Sequence, residues 1–202
     1  MKEYVPQLEY ENECLEKGDK YIAGVDEVGR GPLAGPVVCA CCIMPLNDII
    51  VGVTDSKKLS EKKRVQLAEV IKEKAIAYKI VEISPEEIDE INILEATKKC
   101  MKATIEGLSQ KPDVVLVDAV KLDIPYKTIP IIKGDLKSYT ISAASILAKV
   151  YRDELMKKYA EIYPAYGFER NAGYGTKEHI DAIKGVGPCP IHRRTFIKNF
   201  WG

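Results

Sequence analysis

Asp26 and Glu27 are adjacent acids that end a short apolar run, in the order G-V-D-E. Asp118 closes a second such run, V-V-L-V-D, and Asp135 stands in K-G-D-L-K-S. A carboxylate set among valines is costly to bury unless it is paired, protonated or bound to a cation. Acids converging from strand ends offer a few hard oxygen donors, which suit Mg2+ or Mn2+ with water completing the shell. Such a cation activates water without a histidine base. The chain has only His179 and His192, and its polar loops offer no Ser–His–Asp relay. Taken singly, each acid also reads as a helix cap or an ion-pair partner. Neighbouring strand residues point to opposite faces. Asp26 and Glu27 therefore share a site only if the strand loosens toward Gly29, or if Glu27 contributes a bent side chain or its backbone carbonyl. Asp153 cannot join Asp135: along one helix, eighteen residues at about 1.5 Å each separate them by roughly 27 Å. Arg152–Asp153 reads instead as a surface or helix-packing ion pair.

Beside these acids lie groups suited to holding a polyanion. Gly29-Arg30-Gly31 follows Asp26–Glu27 directly, and glycine lets backbone amides and carbonyls approach a ligand closely. On its own a G-x-G is a tight turn, and GRGPLAGP lacks the Gly-Lys-Ser/Thr ending of a P-loop. DSKKLSEKKR at 55–64 is a local basic cluster, in which Lys57 and Lys58 precede a helix and can meet phosphates. Tyr166, Phe168, Arg170 and Tyr174 interleave aromatic and basic side chains. That composition serves either stacking on sugars and bases or packing of a core.

The elements that must place these residues follow from pattern. Residues 5–17 read as a polar helix ending at Gly18. Residues 21–28 and 36–44 are β-rich runs joined by the glycine-rich turn. Ser60 caps a charged helix over 61–75, and 77–83 returns to strand. S-P-E-E at 84–87 starts a helix with Ser84 as N-cap, Pro85 in the first position and Glu87 closing the box. Helices at 85–91 and 93–109 follow. The apolar run at 113–120 suits a central strand covered on both faces, and 128–132 is a further strand. Ile141, Ala144, Ala148, Tyr151, Leu155 and Tyr159 recur every three or four residues, one face of a long helix from 138 to about 162. A short helix at 177–184 lies in the glycine- and aromatic-rich tail. The fold class is therefore α/β, a mixed sheet with helices on its faces.

With 202 residues and 46% hydrophobic content, the chain suits one catalytic domain with a sizeable core. The expected division is a core over 1–163, including an N-terminal helical extension at 1–18, and a helical C-terminal extension over 164–202. Thirty basic residues balance thirty acidic ones, so a nucleic-acid surface must come from local clustering. No apolar run reaches the ~18–20 residues of a membrane span. The charged N-terminus lacks the apolar centre of a signal peptide, so a cytoplasmic location is expected. Cys14, Cys39, Cys41, Cys42, Cys100 and Cys189 show no metal-ligand spacing and read as buried free thiols. On a strand, Cys39 and Cys41 share one face and Cys42 takes the other.

In this order, GVDEVGRGPLAGPV, DSKKLS, VDAV, KGD, SAASILAKVYRD, GYGTKEH and PIHRRTF resemble the ribonuclease HII family over all but about the first 18 residues and the last few. The resemblance implies a ribonuclease H-like five-stranded sheet with a helical C-terminal extension. It also implies endonucleolytic cleavage of the RNA strand of RNA–DNA hybrids and incision at ribonucleotides embedded in DNA, with 5′-phosphate and 3′-hydroxyl products. Carried over by position, Asp26, Glu27, Asp118 and Asp135 form the acidic quartet for two Mg2+ or Mn2+ ions. Gly29, Arg30 and Gly31 match the segment that senses the 2′-hydroxyl, Tyr174 the ring that stacks on the following deoxyribose, and Lys57 a position near the phosphates. Val28 stands where alanine is commoner and Ala119 where glycine is commoner. A monomer is expected. The rival readings are a DNA-directed nuclease on the same fold and a non-catalytic hybrid-binding module, which has no need of four acids.

Overall fold

The computed structural model describes residues 4–118 and 120–201. Five strands form one mixed sheet: β1 (Ile22–Val28), β2 (Val37–Ile43), β3 (Ala77–Ile83), β4 (Val114–Asp118) and β5 (Lys127–Ile131), in the order β3-β2-β1-β4-β5. β1 pairs antiparallel with β2 and parallel with β4, so it lies at the centre. The alternation of side chains sorts the sheet into two cores. Val25, Cys39 and Cys41 face the helix α4 (Ile93–Glu106), whereas Val38, Ala40 and Cys42 face the long helix α6 (Tyr139–Ile162). The cysteines thus divide between faces as their spacing requires, and all six are free and buried.

Local chemistry fixes the helix ends. Ser60 caps α2 (Glu61–Lys74) by accepting the Lys63 amide, and Ser84 caps α3 (Pro85–Ile91) by accepting that of Glu87. The Glu87 carboxylate does not return to close a capping box; it pairs with Lys99 on α4. The first helix, α1 (Glu9–Glu16), starts at Glu9 rather than at 5; a residue before proline, as Val5 is, disfavours helical geometry. α4 ends at Glu106 rather than 109, with Gly107 as its cap. β4 stops at Asp118, and Ala119 lies outside the described residues.

Two contacts lock α6 where the site needs it. A β-carbon on Gly24 would lie 2.2 Å from the Thr140 carbonyl carbon, so the first turn of α6 rests directly on the β1 backbone two residues before Asp26. Glu11 of α1, fully buried, accepts the Ser138 hydroxyl at 2.6 Å and the Thr140 amide at 3.0 Å. The N-terminal helix therefore braces the start of α6. Along α6, Ile146, Leu147 and Val150 are buried against the sheet and α2. Each contributes about 1.5–3 kcal/mol of burial free energy.

The remaining helices are short: α5 (Gly134–Lys137), α7 (Phe168–Asn171), α8 (Lys177–Val186) and α9 (Arg194–Ile197). Residues after 163 build a separate apolar cluster, with Tyr166, Phe168, Ile183 and Ile197 packed against Ala34 and Met156. Tyr166 and Phe168 stack at 5.4 Å between centroids inside it, so of Tyr166, Phe168 and Tyr174 it is Tyr174 that is left for a ligand. Arg170 is spent on ion pairs with Glu169 and Glu178.

Candidate active site

The ends of β1 and β4 open into a cavity of about 310 Å3 lined by Asp26, Glu27, Ser56, Lys57, Asp118, Asp135, Ser145, Lys149 and Tyr174, among others. Six of the nine positions expected from sequence line it, and Gly29, Arg30 and Gly31 follow in the turn directly after the lining residue Val28. Two larger grooves, about 580 and 560 Å3, run along α4 past Lys98, Lys121 and Asp123, and Arg30 lines the second. These grooves gather mixed charges. The acid cavity gathers carboxylates, and chemistry belongs there.

Each acid is placed by backbone geometry. The β1–β2 ladder stays in register through Val28, so the strand does not loosen at the acid pair. What ends early is its partnership with β4, which stops at Val25 and frees one side of Asp26 and Glu27. Asp26, on the α6 face, accepts the Glu27 amide at 2.8 Å. Glu27 faces the other way but still reaches the cavity rim, where Arg30 lies 3.6 Å from its carboxylate. Asp118 accepts the Gly134 amide at 2.8 Å, tying the end of β4 to the turn that carries Asp135. Asp135 sits on α5 with its carbonyl held by Ser142 at 2.9 Å, and Lys57 approaches its carboxylate at 3.7 Å.

These carboxylates repel one another. Burial, then the charges of Glu27 and Asp118, push the Asp26 carboxyl well above the usual range, against the Ser145 hydroxyl and the Glu27 amide. Burial also raises Glu27, with Arg30 opposing and Asp118 adding. Asp135 is raised by burial and Asp118, with Lys57 opposing. Burial lowers the Lys57 ammonium, but Asp135, Asp55, Asp26 and Asp118 outweigh it and raise it overall. Among the described residues, Glu27 Oε2 is buried without a hydrogen-bond partner. An orphaned carboxylate oxygen beside mutually repelling acids is the signature of a place for a cation. The donors suit a hard divalent ion. Among the described residues, however, no three acids stand close enough to hold one ion without side-chain adjustment.

The Gly29–Gly31 turn is held by groups that sequence patterns did not reveal. Gly29 has φ +92°, and a β-carbon there would lie 2.3 Å from the Arg152 Nε. Arg152 is fully buried and donates to the carbonyls of Pro36, Ala172 and Ala34 at 3.0, 2.9 and 3.1 Å. It is therefore not the partner of Asp153, which pairs instead with Lys149 at 2.6 Å and Arg64 at 3.6 Å. An arginine beside an aspartate on a helix suggests a pair, but helical neighbours in sequence point apart. Arg193, also fully buried, donates to the carbonyls of Gly29, Arg30 and Gly35 at 2.6, 3.0 and 2.9 Å. Burial, foremost, lowers Arg152 to about 10 and Arg193 to about 9, so both stay charged at neutral pH. On the far side of the turn, a β-carbon at Gly31 would meet the half-exposed Tyr174 ring at 3.6 Å. Turn backbone and ring thus face each other at the cavity mouth.

A three-antiparallel, two-parallel sheet with acids at the ends of its two central strands is the frame of the ribonuclease H-type endonucleases. The ribonuclease HII family model matches residues 23–201. A ribonuclease HII of Caldanaerobacter subterraneus is 57% identical over 190 residues, covering 94% of this chain and 79% of the relative. One from Shouchella clausii is 54% identical over 187 residues, covering 93% and 72%. The crystal structure of ribonuclease H2 from Pyrococcus horikoshii superposes with a TM-score of 0.76 at 30% identity, over 90% of this chain and 97% of that one. The chain belongs to the ribonuclease HII family and is an endoribonuclease on the ribonuclease H-like fold.

Proposed function

We propose that the chain hydrolyses the RNA strand of RNA–DNA hybrids and incises duplex DNA at embedded ribonucleotides, acting as a monomer in the cytoplasm. The observation that carries this reading is the meeting of the acid cavity with the Gly29–Gly31 turn and the Tyr174 ring at one mouth. Asp26, Glu27, Asp118 and Asp135 are the groups that would hold Mg2+ or Mn2+. Bound there, two such cations supply Lewis-acid activation of water and stabilisation of the leaving 3′ oxygen, giving 5′-phosphate and 3′-hydroxyl ends.

The protein's own groups do the selecting. Gly29, Arg30 and Gly31 present backbone to a ribose 2′-hydroxyl, the group that tells RNA from DNA. Arg30 also holds the Glu27 carboxylate at the rim. The Tyr174 ring, partly exposed across from the turn, stacks on the next sugar. Lys57, on a solvent-facing stem at the cavity edge, steadies a phosphate while balancing Asp135. Contacts to phosphate and sugar carry no base code, so sequence preference is expected to be slight. Among the described residues, no helix is long and apolar enough to cross a membrane.

The test is cleavage of a duplex with one ribonucleotide, an all-DNA duplex and a continuous hybrid, each with Mg2+ and with Mn2+. Cutting confined to one side of the single ribose, and absent from all-DNA, is expected. Equal cutting of all-DNA would defeat the reading.

A further inference from the structure

The chain's two histidines meet in the interior of the C-terminal cluster, far from any role as bases. His179 Nε2 and His192 Nε2 are 2.9 Å apart, both rings are buried, and Tyr166 and Phe168 box them in edge-on contacts. The ends of this contact fix where every proton lies. His179 Nδ1 is 2.8 Å from the Tyr174 carbonyl, which only accepts, so that nitrogen carries a proton. A neutral His179 then has a lone pair at Nε2, and His192 Nε2 must donate to it. His192 Nδ1 is left as an acceptor, and the Cys189 amide donates to it at 3.0 Å. The Cys189 carbonyl lies further from that nitrogen, at 3.2 Å, and a proton turned toward it would face the amide proton. A carbonyl at one end and an amide at the other thus define one polarity for the whole chain of bonds.

We infer that His179 and His192 are a positioning pair that holds Tyr174 against the Gly29–Gly31 turn and so sets discrimination at a ribonucleotide. Thr176 caps α8 and puts His179 in its first turn, from which the ring reaches back to the Tyr174 carbonyl. That carbonyl also accepts the Thr176 amide at 2.8 Å. At the other end, His192 is bridged to Ala34, and its neighbour Arg193 holds the Gly29 and Arg30 carbonyls. One rigid line therefore runs from the ring to the turn it faces. Burial lowers both histidines, His192 to about 4, in keeping with two neutral rings.

The functional half rests on the reading of Tyr174 proposed above, whereas the hydrogen-bond chain does not. Histidine labelled with 15N in the unaltered chain, at pH 7, should show one ring as Nδ1–H and the other as Nε2–H. Two Nε2–H rings would overturn the pair. His192→Leu strands the His179 lone pair and frees its ring. Single-ribonucleotide incision should fall about tenfold relative to continuous-hybrid cleavage, the size of one buried bond lost. His192→Gln, which restores a donor, should recover most of that ratio. If His192→Leu does not fold, His179→Phe fills the same aromatic box and takes its place. An equal fall on both substrates, or none, in a natively folded variant means the pair only packs. Tyr174→Ala separates the layers: if it leaves the ratio unchanged, the reading of Tyr174 fails, and the tautomers still decide the pair.

Discussion

The acid cavity and the buried Arg–His clamp behind it solve the burial of polar groups in opposite ways. In the clamp, Arg152 and Arg193 carry full charge with no carboxylate within ion-pair distance among the described residues, yet their guanidinium groups find six carbonyl acceptors between them. The histidines stay neutral with each ring nitrogen matched. In the cavity, like charges crowd together and Glu27 Oε2 finds no hydrogen-bond partner among the described residues. A satisfied polar network makes a rigid wall, and an unsatisfied one stores affinity for what is missing. The difference separates the part of the molecule that positions from the part that binds.

The largest effect should come from neutralising the crowded side. Asp26→Asn removes one repelling charge and one donor to a cation, so cleavage should fall by about 10^3-fold or more while hybrid binding persists. The same change relieves the repulsion that raises the remaining carboxyls, so the thermal midpoint should rise, by about 2–4 °C for each kcal/mol relieved. Activity assays and calorimetry on one preparation check both signs. Retained cleavage would remove Asp26 from the site, and a lowered midpoint would break the contrast.

Arg193→Met attacks the satisfied side. Three carbonyls lose their donor, and buried unpaired acceptors cost about 1–3 kcal/mol each. A loss of at least ~3 kcal/mol in urea unfolding is expected, with incision at single ribonucleotides falling more than cleavage of long hybrids. Stability within ~1 kcal/mol of the parent would show that the carbonyls find water instead.

Acid pH should sharpen the contrast further. His179 and His192 have folded pKa values below the ordinary histidine value, His192 near 4. The folded chain then binds fewer protons than the unfolded one. The pair's stabilisation is complete above about 6.5 and is lost as pH falls from there toward 4. The groups facing the pair are the Tyr166 and Phe168 rings, the Cys189 thiol and the Arg194 charge, and none is an acid that would hold a proton on it. The cavity works in reverse: its raised carboxyls weaken the fold as they ionise and relieve it as pH falls. Histidine ring protons followed through a titration distinguish the two. In the folded chain His192 should titrate near 4 and His179 below the ordinary histidine value, and an inflection near 6.5 would break the pair.

The sheet, the long helix and the cavity acids were legible because their signals are local. V-V-L-V-D is a buried strand whatever surrounds it, and Ser60 and Ser84 announce helix starts. The clamp was not legible. Arg152 sits beside Asp153 and reads as half of an ion pair, yet its partners are carbonyls more than a hundred residues upstream and at Ala172. Glu11 looks like any charge on a polar helix until the fold brings Ser138 and Thr140 onto it. Tyr166 and Tyr174 are eight positions apart with similar neighbours, and only the tertiary fold decides that one is core and the other faces the turn. Long-range partners for polar side chains leave no period to read.

Lys57 tests the boundary between the two regions, with the smallest expected effect. Its ammonium is the cavity's exposed counterweight, 3.7 Å from Asp135 on a stem that is 80% exposed. An exposed pair of this kind contributes about 0–1 kcal/mol, so Lys57→Ala should leave the midpoint nearly unchanged. The Asp55 side chain, which accepts the Lys57 amide at 2.9 Å, holds the backbone in place without the lysine. What the substitution removes is a charge facing phosphate. Cleavage should fall by only about three- to tenfold, mostly in KM, and the dependence of binding on log salt should become shallower by about one unit. A loss confined to kcat with an unchanged salt slope would place Lys57 with the acids rather than with the substrate. That result would move the boundary, because the cation and the phosphate would then share this one side chain.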